Sequence, residues 1–336
     1  MKNIAISGVG GGVGQSIIKA LQKLNYNLIG LDGEVLAAGL YTVPKAYIIP
    51  YAYEENYIKK LLQICKKENI SILFPGLDAE LLPLSRNREK FEKIGTKVIV
   101  SRPEVINIAD DKLLTYNYLR SKNINVPKTV LMMDFIKDKN LLDFPVIMKP
   151  MKGGARSKNV FKINNLDEFL LLGQMVKNFA TDYIVQEFIE GDEYTCGSVT
   201  LNGKCFGAII MKRILRNGDT YKCFVEDNDL LKQLVIKIAE VVQPFGALNV
   251  QLITKDNVPY IVELNARCSG TTAARALCGF NEPQMIAEYI LSNIIPHYLI
   301  KKQSILRYYK EIVLNDDDID TLAKDKQIKL HRIIRL

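Results

Sequence analysis

Residues 3–14 constrain the fold more tightly than any other stretch. Asn3-Ile4-Ala5-Ile6-Ser7 is a short apolar strand, Gly8-Val9-Gly10-Gly11-Gly12-Val13-Gly14 follows at once, and an amphipathic stretch, Gln15–Leu24, comes next. A strand that turns through glycines into an amphipathic helix begins a βα unit, and such units stack into parallel sheets. The pattern recurs as strand Asn27–Asp32, helix Glu54–Glu68, strand Ser71–Pro75, helix Glu80–Lys93 and strand Lys97–Val100. A parallel α/β domain is therefore expected over residues 1–108.

Beyond a helical stretch, Asp111–Lys122, the alternation stops. Strands at Pro145–Pro150, Tyr183–Glu187, Tyr194–Leu201 and Lys204–Met211 follow with few helices between them, as in an antiparallel α+β region. A helix at Asp229–Val242 precedes paired strands Ala247–Thr254 and Val258–Leu264, joined by Lys255-Asp256-Asn257, and a helix at Pro283–Asn293 closes the region. Residues 301–336 alternate basic and acidic clusters and read as a charged surface appendage.

Composition removes several classes of function. Six scattered cysteines form no C-x-x-C pair, which argues against a disulfide framework or structural zinc. The histidines are only His297 and His331, so a histidine triad or histidine-rich metal site is not expected, and any metal should take oxygen ligands. No apolar run reaches the roughly 18 residues of a membrane span, and the first strand does not read as a signal peptide. A cytoplasmic protein without membrane association is expected. The net charge of +8 is spread without a recognition-helix or RNP pattern, so a polyanionic small molecule is a better partner than nucleic acid.

The glycine cluster sits where a helix N-terminus could meet phosphate. No strict G-x-G-x-x-G fits it, since counting from Gly8 and Gly10 the last position falls on Val13, and Gln15 follows Gly14 where a Walker A loop needs lysine. Asp32 could bind a ribose hydroxyl, as in nicotinamide enzymes. A tight βα turn lining a substrate cleft is the preferred reading, with Gly10, Gly11 and Gly12 as its substrate-facing members.

Four further segments bear on the chemistry. Val146-Ile147-Met148-Lys149-Pro150 runs into Met151-Lys152-Gly153-Gly154-Ala155-Arg156-Ser157-Lys158, a glycine and cation loop suited to covering phosphates or, equally, a solvated basic turn. Val185–Tyr194 joins a strand to an acidic turn; its edge amides and apolar side chains can hold an adenine, and a following carboxylate can take ribose hydroxyls. Strand alternation points Glu263, Asn265 and Arg267 to one face, with Asn249 and Gln251 on the neighbouring strand. Such hard oxygen ligands suit Mg²⁺, and an arginine beside them can neutralise a transferring phosphoryl group. Asp111-Lys112 heads the first helix of the second region.

In order along the chain, Asp111-Lys112, Met148-Lys149-Pro150 with its basic loop, Gln186-Glu187-Phe188-Ile189-Glu190-Gly191, Asn249-Val250-Gln251 and Glu263-Leu264-Asn265-Ala266-Arg267-Cys268-Ser269-Gly270 resemble the ATP-grasp superfamily, particularly its carbamoyl-phosphate-synthase-like branch. The resemblance spans roughly residues 1–295. It implies a parallel α/β pre-ATP-grasp domain (1–108), then α+β ATP-grasp N-terminal (109–185) and C-terminal (186–300) subdomains, with residues 301–336 appended. It also implies ATP and Mg²⁺, with Mn²⁺ as a substitute. By that similarity Lys112, Lys149, Gly153, Gly154, Ala155 and Ser157 bind phosphates, Glu187, Phe188 and Ile189 hold adenine, and Glu193 takes the ribose. Gln251, Glu263 and Asn265 hold the metal, and Arg267 and Lys149 are the catalytic pair. Arg213, Arg267, Ser269 and Arg275 join the glycine loop as substrate contacts.

The activity this implies is an ADP-forming carboxylate–amine ligase acting through an acyl phosphate. The chain holds one ATP-grasp unit and no glutamine-hydrolysing domain, which departs from carbamoyl phosphate synthesis itself. The alternatives are a kinase that stops at the acyl phosphate, an NAD(P)-dependent oxidoreductase resting on Gly8–Gly14 and Asp32, and a non-catalytic nucleotide-binding module. Dimers are common among similar proteins, and nothing in the sequence marks an interface, so a homodimer stays open.

Overall fold

The computed structural model describes residues 1–153, 158–175 and 181–330. The N-terminal sheet has the order Gln327–Lys329, Lys45–Ile48, Tyr26–Asp32, Lys2–Ser7, Ile70–Phe74, Lys97–Val98, parallel throughout except for the first pair. Ile4, Ala5 and Ile6 have no exposed surface, as expected of parallel strands covered on both faces. The helix Tyr57–Lys67 buries Tyr57, Leu61, Ile64 and Cys65, one stripe at helical spacing. The expected helix Glu80–Lys93 is two, Asp78–Arg86 and Arg88–Glu92. Pro83 lacks the N–H of a regular turn, and Asn87 breaks the run, its side-chain amide donating to Pro83 O at 2.9 Å.

The second sheet is antiparallel, in the order Val258–Asn265, Gly246–Lys255, Asp192–Leu201, Met211–Arg216, Asp219–Val225, Ser304–Leu306, with Lys204–Ile209 also paired to Asp192–Leu201. The anticipated strand Lys204–Met211 ends at Ile209, and Met211 opens a hairpin that the sequence reading missed. Its turn, Asn217-Gly218, has positive φ at both residues (52° and 78°), the conformation for which Asn-Gly is the strongest short-range hairpin signal. Asp256 and Asn257 turn the Gly246–Asn265 hairpin in the same way, with φ of 50° and 61°.

A third sheet, Thr129–Leu131, Tyr183–Glu187, Val146–Pro150, Phe161–Ile163, is antiparallel and four-stranded. Met132, Phe135, Met148, Phe169 and Val185 form a core of its own, whereas the core under the first sheet runs on into the second through Val199, Ile209 and Met211. The segment from residue 301, read from its charges as an appendage, supplies Ser304–Leu306 to the second sheet and Gln327–Lys329 to the first. Between them the helix Asp316–Asp325 buries Leu322 completely.

Candidate active site between two sheets

In the N-terminal sheet the chain reverses its direction of winding between Lys2–Ser7 and Ile70–Phe74. The crevice outside the carboxyl ends of strands at such a point is where doubly wound folds place ligands. The loops leaving these two strands pack together: a Cβ on Gly8 would lie 2.6 Å from Leu77 Cγ, and one on Gly76 would lie 2.2 Å from Ser7 O. Gly8 adopts φ +61°, and Gly11 N–H donates to Gly8 O at 3.0 Å. Asp32 accepts from Gly10 N–H at 2.7 Å and from Glu34 N–H at 3.0 Å, one carboxylate oxygen each. Both oxygens therefore pin the turn, which leaves little of Asp32 for a ribose. Gly12 begins the helix Gly12–Leu21 facing open space.

The second loop is held from beneath by Glu80, a residue the sequence reading left unassigned. Glu80 is 2% exposed and accepts from Ser7 Oγ and Tyr57 OH at 2.9 Å and from Gly76 and Leu77 N–H at 3.1 Å. Its neighbour Asp78 grips Arg267 from across the domain boundary: Nε donates to Oδ1 and Nη2 to Oδ2, both at 2.6 Å. Burial works to lower the Arg267 pKa, but Asp78 and then Glu263 outweigh it and the net direction is upward. Burial first, and the charge of Asp78 second, raise the pKa of Asp110 in the same part of the cleft.

The hairpin behaves as alternation requires. Asn249 lies opposite Asn265 and Gln251 opposite Glu263, while Thr195 and Gly197 continue the row on the next strand. Asn265 joins Glu263 to Arg267, donating to Glu263 Oε1 at 3.4 Å and accepting from Arg267 Nη2 at 3.0 Å. Arg213 ties Glu193 to Gln251, with contacts of 3.3 and 2.9 Å. Among the described residues no group of three or more His, Cys, Asp or Glu side chains could hold a metal. One carboxylate flanked by two amide oxygens instead fits Mg²⁺ that draws its remaining ligands from phosphate and water.

Across the cleft, Lys149 on the third sheet is 7% exposed and donates to Gln186 Oε1 at 2.7 Å; Gln186 in turn donates to Thr129 Oγ1 at 2.8 Å. Burial, with Lys112 adding to it and Glu263 opposing, lowers the Lys149 pKa to about 8. The opposing pull comes from Glu263 on the second sheet. Lys112 is also buried, its Nζ donating to Gly153 O at 2.6 Å, and Asp111 caps its helix by accepting from Leu113 and Leu114 N–H at 3.0 Å. Gly153 has φ +68°. Gly154, Ala155 and Ser157 lie outside the described residues.

Glu187 extends the pairing of its strand, donating its N–H to Lys128 O at 2.8 Å and accepting from Lys128 N–H at 3.2 Å. Phe188 is half-buried under Lys162, whose Nζ lies 3.9 Å from the ring centroid, and Ile189 is buried. Two expected substrate contacts are turned inward. Arg275 has no exposed surface; it pairs with Glu282 at 2.6 Å and donates to Thr195 Oγ1 at 3.0 Å and to Asn249 Oδ1. Ser269 is 5% exposed and shares a 2.7 Å hydrogen bond with Thr271. Both brace the polar row from behind. Gly10–Gly12 lie close by, for Ser16 on the helix they open donates to Gly270 O at 2.8 Å.

Comparison with known proteins gives this arrangement a context. Residues 4–99 match the family described as PylC-like, N-terminal domain, and residues 109–271 match the ATP-grasp domain family. The carbamoyl phosphate synthase large chain of Thermoanaerobacter sp. (strain X514) is 26% identical over 269 residues, 73% of this chain and 23% of that protein. The chain thus spans about a quarter of the length of that relative. Among solved structures, N5-carboxyaminoimidazole synthetase from Staphylococcus aureus complexed with ADP superposes with a TM-score of 0.72 at 17% identity, covering 96% of this chain and 85% of that one. L-amino acid ligase from Bacillus licheniformis superposes with a TM-score of 0.65 at 15% identity, covering 87% and 74%.

Proposed function

We propose that the chain, which carries an ATP-grasp domain over residues 109–271, is an ADP-forming carboxylate–amine ligase working through an acyl phosphate. ATP-grasp enzymes use ATP and Mg²⁺. The observation that carries the reading is the row Gln251, Glu263 and Asn265 on one sheet, with Arg267 two residues past the end of the strand, opposed by two buried lysines, Lys112 and Lys149, on the other side of the cleft.

In this reading Lys112 and Lys149 receive the nucleotide phosphates, Glu187, Phe188 and Ile189 line the adenine, and Glu193 takes the ribose. Gln251, Glu263 and Asn265 hold Mg²⁺, which supplies charge neutralisation between the reacting anions. A substrate carboxylate oxygen attacks the γ-phosphorus, the bond to the β-phosphate oxygen breaks, and ADP leaves. Arg267 stabilises the charge on the transferring phosphoryl group. The amine then attacks the acyl carbon; phosphate departs, and the amine proton passes to solvent. Positioning and electrostatics supply the acceleration, so no histidine is required. The glycine turn Gly10–Gly12 and the Asp78 loop form the wall where the small carboxylate and amine meet. Among the described residues no helix is long and apolar enough to cross a membrane.

The test is product analysis with purified protein, Mg-ATP and pooled carboxylates and amines. ADP and phosphate formed only with a particular pool support the reading; AMP and pyrophosphate refute it. Trapping by hydroxylamine without amide formation would assign a kinase instead. Glu263→Ala and Arg267→Ala should each lower turnover by about 10²–10³-fold, and full activity in either would dismiss the site.

A further inference from the structure

Arg267 offers one flat edge, Nε with Nη2, to a carboxylate, and in this structure that edge is taken by Asp78. The remaining contacts of the guanidinium, Nη2 to Asn265 Oδ1 at 3.0 Å and Nη1 to Cys268 O at 2.9 Å, fix its plane. A fork-on-fork pair of this kind is the geometry in which arginine receives any carboxylate. A substrate carboxylate cannot use the edge while Asp78 holds it. Backbone movement is a poor way to free it, because buried Glu80 accepts the N–H groups of Gly76 and Leu77 immediately before Asp78. The side chain is another matter: Asp78 is 47% exposed at the start of the helix Asp78–Arg86 and can rotate without unpacking the loop.

We propose that Asp78 is a specificity-determining residue that occupies the carboxylate position on Arg267 and yields it only to a substrate carboxylate able to make the same two-pronged contact. The proposal rests on the ligase reading, and on Arg267 contacting the substrate carboxylate as well as the phosphoryl group passed to it. It gives the N-terminal domain a part in deciding when ATP is committed: water and singly bonding anions do not displace Asp78, so the phosphoryl group is not passed to them. The domain boundary thereby checks the substrate before the chemistry begins.

The test reads Arg267 directly and needs no identified substrate. Full-length wild type, Asp78→Asn, Asp78→Glu and Asp110→Asn are treated with phenylglyoxal, and modification of Arg267 is followed by peptide mass spectrometry. Loss of a partly exposed ion pair should speed Arg267 labelling in Asp78→Asn by up to about fivefold. Asp78→Glu, which keeps a carboxylate, and Asp110→Asn, which keeps the pair, should stay near wild type. Acetate should slow labelling of Asp78→Asn more than chloride at equal ionic strength, and substrate-free ATP hydrolysis should rise in that variant. Equal labelling of wild type and Asp78→Asn overturns the proposal, as does labelling of Asp110→Asn that speeds up as much as that of Asp78→Asn. Labelling without protection by acetate also overturns it. If labelling behaves as expected but no carboxylate supports ATP turnover in wild type, the ligase reading fails and the proposed substrate check fails with it. Unchanged labelling alongside carboxylate-dependent turnover defeats the substrate check alone.

Discussion

Lys149 should make nucleotide binding depend on pH in a way its environment sets. In the free protein burial and the nearby Lys112 charge bring its pKa to about 8, against the pull of Glu263. Phosphates placed against it favour the ammonium form, so binding above that pH must draw a proton from solvent. If the bound pKa returns to the ordinary range or higher, uptake is about 0.1 proton per nucleotide near pH 7, about 0.5 near pH 8 and about 0.9 near pH 9. Affinity should fall about tenfold over the same span. Calorimetry with a non-hydrolysable Mg-ATP analogue, in two buffers of different ionisation heat, measures both quantities. Lys149→Arg, permanently charged, should abolish the uptake. Lys112→Met should reduce it near pH 8, because removing that repulsion raises the Lys149 pKa. For the free protein the sign is opposite to that of a favourable ion pair. A lysine whose folded pKa lies below its usual 10.5 binds fewer protons folded than unfolded, so its contribution to stability improves as pH rises from about 8 towards 10.5. Flat affinity with no proton uptake, or uptake surviving in Lys149→Arg, would refute the argument.

Other expectations concern the support behind the polar row. Gly197→Ala places a Cβ 2.5 Å from Glu282 Oε1 and 2.6 Å from Arg275 Nη1, and should cost about 1–3 kcal/mol in chemical denaturation. Arg275→Met strands a fully buried carboxylate and should cost about 3–5 kcal/mol, while adding Glu282→Gln should return much of it; an additive double variant would mean the pair is not coupled. Leu322→Ala should cost about 2–5 kcal/mol, measured in the same way.

The parts legible in the sequence were those whose periodicity is local. The strand–glycine–helix start, the helix Asp229–Val242 and the alternation of Glu263 and Asn265 appear in the structure, because each is set by neighbouring residues; Arg267 lies two residues past that strand and joins them through its hydrogen bond to Asn265. Strand Lys45–Ile48 escaped notice, being four residues long with a lysine at its head. Arg275 looked like a cleft cation because sequence gives no view of Glu282 folding back on it or of Gly197 making room. Asp78 was missed although its position, just beyond a parallel strand at the winding reversal, is where ligands collect. Only the fold brings it to Arg267, which lies 189 positions away along the chain.

The two strands contributed by residues beyond 301 also affect how this protein avoids its own kind. Lys45–Ile48 would end the first sheet with a row of unpaired N–H and C=O groups, and Asp219–Val225 would do the same for the second. Gln327–Lys329 and Ser304–Leu306 cover them. Open strand edges template pairing between molecules. During synthesis both stay bare until the covering segment has emerged, which leaves the nascent chain exposed to aggregation for most of its length. A chain cut after residue 300 should therefore form larger assemblies than the full chain does, or precipitate, rather than keep the same assembly with lower stability. In this protein the segment that looks most dispensable by composition is the one that keeps the sheets to themselves.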